Sequence, residues 1–396
     1  MTVQPSPEVN RKLEIEAGLA SFIGEFIALR RDIHAHPELA FNETRTSSLV
    51  ADYLSQWGYQ VTTGIGGTGV VGTLKRGTSG KTIGIRADMD ALPIIEATGL
   101  DYASDNSGVM HACGHDGHTS ILLAAARYLS EFGRFSGTLH VIFQPAEEIG
   151  AGAKRMINDG LFERFPCDAV YGLHNWPGVP AGQFGFVSGP AMASVDRARI
   201  RVNGRGGHGA EPHKSVDPVV VASSIVLALQ TVVARNLDPL DMGVVTVASI
   251  HGGDALNVIP AHVDLGLTIR SFSQSVREEL RWRIEAVARS QAESYGAIAD
   301  VDYQWGFPAL INAKAETEFA KQVALTSFPK GTVIEDFRPR TASEDFAFML
   351  EEKPGSYFFV GNGDSAGLHS PDYNFNDDIL LPAALFWVRL TEASLN

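Results

Sequence analysis

Three short apolar runs constrain this chain more than any other feature: Thr82–Ala87 (TIGIRA), Thr138–Phe143 (TLHVIF) and Asp168–Leu173 (DAVYGL). Each has the length of a buried strand and is too short for a helix. Helical patterns separate them, over 119–130 after the first and over Ala151–Asp159, closed by Gly160, after the second. Strands alternating with helices predict an α/β domain with a mostly parallel sheet and helices on both faces. Ligands of such sheets gather beyond the carboxyl ends of the strands. The three runs end in Asp88-Met89-Asp90, in Gln144-Pro145-Ala146-Glu147-Glu148 and in His174-Asn175-Trp176. Every strand end thus carries a side chain able to bind a metal or move a proton.

The 396 residues exceed the roughly 250–300 that one core supports, so two domains are expected. The pattern changes near residue 190. Arg197–Val202, Val244–Ile250 and Val263–Ile269 alternate apolar and polar residues like half-exposed strands, around helical segments at Pro218–Ala234 and Gln274–Tyr295. We read 192–300 as an inserted α+β two-layer unit, with 1–191 and 301–396 forming the discontinuous first domain. Strand and helix resume with Ser356–Val360 and a closing helix at Leu380–Ala393. Upstream, Glu14–Leu54 reads as helix broken near His36-Pro37, and Tyr59–Leu74 as strand, turn, strand. That glycine-rich turn carries neither a dinucleotide fingerprint nor a P-loop. His34 and His36, two apart, do not share a helix face and are read as surface or supporting residues.

The densest chemistry lies in Val109–His118 (VMHACGHDGH), just before the apolar helix. Clustered Cys and His ligands suit a divalent transition metal, and a helix N-terminus favours the Cys113 thiolate. Cys113, His115, Glu147, Glu148, His174 and His369 outnumber the three or four ligands that a single zinc takes. Two ions sharing a bridging ligand, with Cys113 able to bridge, use the set better. Neighbouring glutamates at a strand-to-helix turn point different ways, so one can bind metal while the other takes a proton from water and returns it to a leaving amine. His111 and His118 are read as supporting residues and Cys167 as structural.

Bulk properties exclude other classes. A net charge of −14 argues against a nucleic-acid partner. Two cysteines are too few for a disulfide scaffold. The first twenty residues are polar and acidic, without a signal-peptide core, and no run approaches the ~18 apolar residues of a membrane span. The expectation is a cytoplasmic protein without a membrane partner.

MHACGHDGHT, QPAEE, GLHN and LHSPDYNF, with RADMDALP and RRDIHAHPEL upstream, resemble the M20 family of metallopeptidases and aminoacylases. The similar branch is that of hippurate hydrolase and the plant auxin-conjugate amidohydrolases. The resemblance implies a phosphorylase/hydrolase-like catalytic domain interrupted by a lid or dimerisation domain, and two divalent ions (zinc, manganese, cobalt or nickel). It implies Cys113, His115, Glu148, His174 and His369 as ligands, Glu147 as general base and Asp88 as the carboxylate orienting the site. In GRGGHGAEPH it implies that His208 reaches a neighbouring subunit's active site, making a homodimer or higher oligomer. Asn257 and Arg270 match positions that hold the substrate carboxylate. Dipeptidase and carboxypeptidase branches carry His where Arg86 stands and Asp where Cys113 stands, so the expected substrate is an N-acyl amino acid. The alternative is a dipeptidase or aminopeptidase on the same metals; cysteine-nucleophile catalysis, which would survive a chelator, and a non-enzymatic binding protein are the readings outside that class.

Overall fold

The computed structural model describes residues 7–396, with side chains from Asn10 onward. The first residues of the polar N-terminal stretch lie outside that range. The chain divides into two compact units, one of 1–189, 311–338 and 348–396, the other of 190–310 and 339–347.

The first unit opens with helices α1 (Pro7–Ala20), α2 (Ile23–Ala35) and α3 (Thr44–Gln56). Strands β1 (Gln60–Ile65), β2 (Gly69–Arg76) and β3 (Thr82–Asp88) follow. Then come α4 (His115–Phe132), β4 (Gly137–Gln144), α5 (Gly152–Asn158) and β5 (Ala169–Pro177). Short β6 (Phe184–Gly185), α6 (Lys314–Ser327), short β7 (Val333–Ile334), β8 (Gly355–Gly363) and α7 (Leu380–Ser394) complete it. The strands form one sheet in the order β1-β2-β4-β3-β5-β8-β6-β7.

Its middle four strands, β4, β3, β5 and β8, are parallel, whereas β1–β2, β2–β4 and β8–β6 pair antiparallel. The short β7 pairs parallel to β6, so four of the seven pairings are parallel and the sheet is mostly parallel, with antiparallel strands added at β1–β2 and β6. Its β1–β2 edge is a hairpin, which needs no crossover helix. Side chains alternate across β3. Ile83, Ile85 and Ala87 join the large core that includes α4 and α7, while a β-carbon on Gly84 would meet Cys167, Ile142 and Val170 on the other face. Helix α4 is buried almost all round, from His115 through Ala126, as its run of Ile, Leu and Ala requires. Register sets Asp88 opposite Gln144, with β5 alongside β3 at Arg86–Gly172 and His174 two residues further on. Asp88, Gln144 and His174 are thus level, although β5 pairs with β8 on to Pro177, so His174 lies inside that strand and not at the end expected after Leu173.

The second unit has an antiparallel sheet in the order Gly243–His251, His262–Ser271, Asp196–Asn203, Ile298–Trp305. Ala198, Ile200, Val202, Val263, Leu265, Leu267 and Ile269 form the buried face. Helices Pro218–Asn236 and Gln274–Ser294 pack there through spaced apolar residues such as Val221, Ile225, Leu229, Leu280, Ile284 and Ala288. Asp217 and Ser273 cap their N-termini, accepting from the backbone N–H of Val219 and Val276. A boundary at 300 would cut the strand Ile298–Trp305, which pairs along Asp196–Asn203. Ala299, Val301, Tyr303 and Trp305 alternate with Asp300, Asp302 and Gln304 straight across that boundary, so the strand pattern continues past 300. Contrary to the expectation of no span-length apolar run, Pro218–Asn236 is long and apolar enough to cross a membrane by length and composition. Here its inward stripe is used on the sheet.

Candidate metal centre

Gly114 shapes the approach to α4. Its φ is 89°, and a β-carbon there would lie 2.4 Å from Asn175 Oδ1 and 2.7 Å from the Tyr373 hydroxyl. Only glycine suits both conditions. The turn winds His115–His118 into the helix, four residues before the apolar periodicity becomes visible. His115 and His118 become neighbours one turn apart, with ring centroids separated by 5.5 Å.

His115 donates from Nδ1 to the Asp90 carbonyl at 2.9 Å. Its Nε2 is buried and lies 3.9 Å from the buried Glu148 Oε1, and neither atom has a hydrogen-bond partner among the described residues. His174 donates from Nδ1 to the Asn175 carbonyl at 2.6 Å, leaving Nε2 3.4 Å from Cys113 Sγ. The exposed His369 lies in the left-handed region (φ 63°) with Nε2 3.4 Å from Glu148 Oε2. The ligand atoms of Cys113, His115 and His174 lie within 4.8 Å of one another, and so do those of Cys113, Glu148 and His369. Cys113 belongs to both sets.

Orphaned buried polar atoms cost about 1–3 kcal/mol each, so a native fold keeps few of them. Here an imidazole nitrogen and a carboxylate oxygen face one another beside a thiol. That mixed N, O and S donor set suits a divalent transition metal, and the residues present fit one. Burial pushes the Glu148 carboxyl up, against the opposing pull of His115. A cation held there would add to that compensation.

His118 has no nitrogen to spare. Its Nδ1 lies 2.6 Å from Asp88 Oδ1, and its Nε2 accepts from the Asn175 backbone N–H at 3.1 Å. Its place is behind the ligands, orienting Asp88. Arg86 donates to Asp88 Oδ2 at 2.6 Å and to Gln144 Oε1 at 2.8 Å. Burial opposes ionisation of Asp88, but Arg86, His115 and His118 outweigh it and hold the carboxyl well below its usual range.

The adjacent glutamates diverge because their turn is pinned. Ala146 has φ 54° and donates its N–H to Glu43 Oε1 at 2.9 Å. The two carboxylate oxygens of Asp90 then accept from the N–H groups of Glu147 and Glu148, each at 3.0 Å. Such a backbone at a site costs energy that surrounding bonds must offset. Glu147 is buried, with an oxygen in one cluster with His115 and Glu148.

Sequence reasoning missed Asp90 and Glu43 as positioning residues. Asp90 was visible at its strand end, but nothing local marks Glu43. His34 is not a surface residue. It is fully buried between Asp116 Oδ2 (2.9 Å) and Glu96 Oε1 (3.2 Å), whereas His36 is exposed. His208, Asn257 and Arg270 lie in the second unit. His208 and Val258 face one another in a two-stranded ribbon, the Asn257 carbonyl accepts from Gly209, and both His208 and Asn257 are exposed. Arg270 donates to the Ser343 hydroxyl.

A model of peptidase family M20/M25/M40 matches residues 84–393. The chain belongs to that family. It is 43% identical over 367 residues to hippurate hydrolase of Campylobacter jejuni, covering 93% of this chain and 96% of that protein. To N-acetyl-L-cysteine deacetylase of Bacillus subtilis it is 40% identical over 369 residues, covering 93% and 88%. A crystal structure of a Bacillus subtilis protein, described as a dinuclear metal binding peptidase from the M20 family, superposes with a TM-score of 0.83 at 32% identity, covering 95% of this chain and 99% of that one. This M20-family chain is an amidohydrolase.

Proposed function

We propose that this chain cleaves the amide bond of N-acyl amino acids, of the hippurate kind, to a carboxylic acid and a free amino acid. The observation that carries this is the pair of donor sets sharing Cys113, beside a buried glutamate that neither set contains. Cys113, His115, Glu148, His174 and His369 would hold two divalent ions, zinc, manganese, cobalt or nickel. Bound there, they supply Lewis acidity towards the amide carbonyl and lower the pKa of water.

The chain's own residues do the rest. Glu147, set by Asp90, takes a proton from the attacking water at its carboxylate and delivers it to the leaving nitrogen. Asp88, held by Arg86 and His118, keeps the ligand shell oriented. His208, acting from a partner subunit in a homodimer built through the second unit, polarises the scissile carbonyl. Asn257 and Arg270 hold the substrate's α-carboxylate, for which a guanidinium is suited. Sequence character supports a cytoplasmic setting.

The test is hydrolysis of N-benzoylglycine, N-acetylmethionine and simple dipeptides by enzyme stripped with a chelator, then reloaded with each metal. Metal-restored cleavage of the acyl compounds in preference to dipeptides is expected. Chelator-resistant activity would remove the metal reading, and preference for dipeptides would make the enzyme a peptidase.

A further inference from the structure

The face of the second unit's sheet opposite its helices carries an uncompensated cationic end. Arg197, Arg199 and Arg201 project there from Asp196–Asn203, since the intervening residues are buried. Register sets Thr268, Gly266 and Asp264 opposite these three arginines on one side, and Gln304, Asp302 and Asp300 on the other. The Arg201 end is neutralised. Arg201 bonds Asp264 twice, at 2.8 and 2.9 Å, and Asn203 donates to Asp300 at 2.8 Å. Arg199 stands opposite Asp302, whose Oδ2 accepts from Gln304 at 2.9 Å.

Arg197 differs. Its cross-strand neighbours, Thr268 and Gln304, are neutral, and Arg270 stands two residues beyond Thr268 on the same face. Like charges so placed repel. The guanidinium of Arg270 holds its proton less tightly than usual, first through burial and then through Arg197. A groove of about 370 Å³ opens on the Arg197 side, lined by Arg197, Arg199, Ser249, Gly266, Thr268 and Gln304 among others, and Arg270 stands just outside it, diagonal to Arg197 across the strands. Gly266 is its floor, where a β-carbon would come within 2.6 Å of the Ser249 hydroxyl. Two cations, hydroxyls and an amide around a small groove form a donor-rich site in a chain of net charge −14.

We propose that this groove is a second carboxylate subsite, taking the side-chain carboxylate of an N-acylated acidic amino acid while Arg270 takes the α-carboxylate. It rests on the reading of Arg270 given above. Diagonal cross-strand neighbours stand ~7–8 Å apart, a span two long arginine side chains adjust to the short carbon chain between two carboxylates. Planar guanidinium groups pair with carboxylates through parallel bonds.

The experiment compares kcat and KM for N-benzoylglutamate and N-benzoylglycine on the metal-loaded enzyme and on Arg197→Ala, Arg197→Lys and Arg270→Ala. Arg197→Ala is expected to lower the glutamate-to-glycine ratio of kcat/KM about tenfold, through KM, and Arg197→Lys to restore most of it. A ratio unchanged within twofold, or an equal loss on both substrates, overturns the subsite. Arg270→Ala should raise KM for both substrates. If it does while Arg197→Ala leaves the ratio intact, the subsite alone fails. If Arg270→Ala leaves both KM values unchanged, the reading of Arg270 fails.

Discussion

One carboxylate oxygen of Asp90 accepts the backbone N–H of Glu147 at 3.0 Å. The other oxygen does the same for Glu148, so a single side chain sets the directions in which two consecutive glutamates leave the turn. Asp90→Ala leaves one buried and one part-buried donor unmet, at about 1–3 kcal/mol for the buried one. A loss of kcat of about tenfold or more is expected, with a lower melting temperature. Asp90→Asn, which keeps one acceptor oxygen, should fall between. Steady-state kinetics beside thermal melts check the order, and equal activity in all three would remove Asp90 from the site's support.

Glu147 stands outside both donor sets that share Cys113. Glu147→Gln should lower kcat by about 10²-fold or more, the scale of a lost general base. Bound metal, measured by elemental analysis, should match the unaltered protein. Near-normal turnover would exclude Glu147 as the base.

Removing metal should cost stability as well as activity, because His115 Nε2 and Glu148 Oε1 have no hydrogen-bond partner among the described residues. Ions that bind only the folded chain raise its melting temperature by mass action. Chelation should therefore lower the midpoint by several degrees, and in the Cys113→Ala variant the shift should shrink. An identical shift in that variant would separate the cluster from metal binding.

The buried His34 gives a pH signature. Burial lowers its affinity for a proton, but hydrogen bonds to Asp116 and Glu96 outweigh this and raise the pKa from 6.5 to about 9. The protonated form is thus favoured by folding. Its contribution, about 3 kcal/mol at most, is complete below pH 6.5 and is lost as pH rises through about 9. Asp116 is shifted the other way: burial raises its pKa, but His34 and Arg30 lower it further. Its contribution is present above its ordinary pKa and lost in acid. Urea midpoints should decline from pH 6.5 to 9.5, and His34→Gln should flatten the decline. An unchanged slope in the variant would assign it elsewhere.

Gly117, inside the first turn of α4, packs so closely on Phe375 that a β-carbon would sit 2.2 Å from the ring. Overpacking of this kind costs about 1–3 kcal/mol. Gly117→Ala should lower the melting temperature despite alanine's better helix propensity. A rise would show that Phe375 yields freely.

Local pattern carried the α/β alternation and the strand ends that bear Asp88, Glu147 and Glu148, because periodicity and strand-end chemistry are written in consecutive residues; His174 it marked too, but β5 runs on past it to Pro177. It also marked Cys113 and His115, whose residue types rarely cluster without a ligand. Tertiary structure alone decided that His118 is fully used by Asp88 and Asn175, that Arg86 holds Asp88, and that His34 is buried. Glu43 reaches Ala146 from 103 positions away, and the strand Ile298–Trp305 finds its sheet only by pairing with Asp196–Asn203. Hydrogen-bond partners and sheet neighbours are chosen by the packed fold: most of these contacts join residues far apart in the chain, and even Arg86 and Asp88, two apart on one strand face, are near in sequence without the sequence saying that they bond.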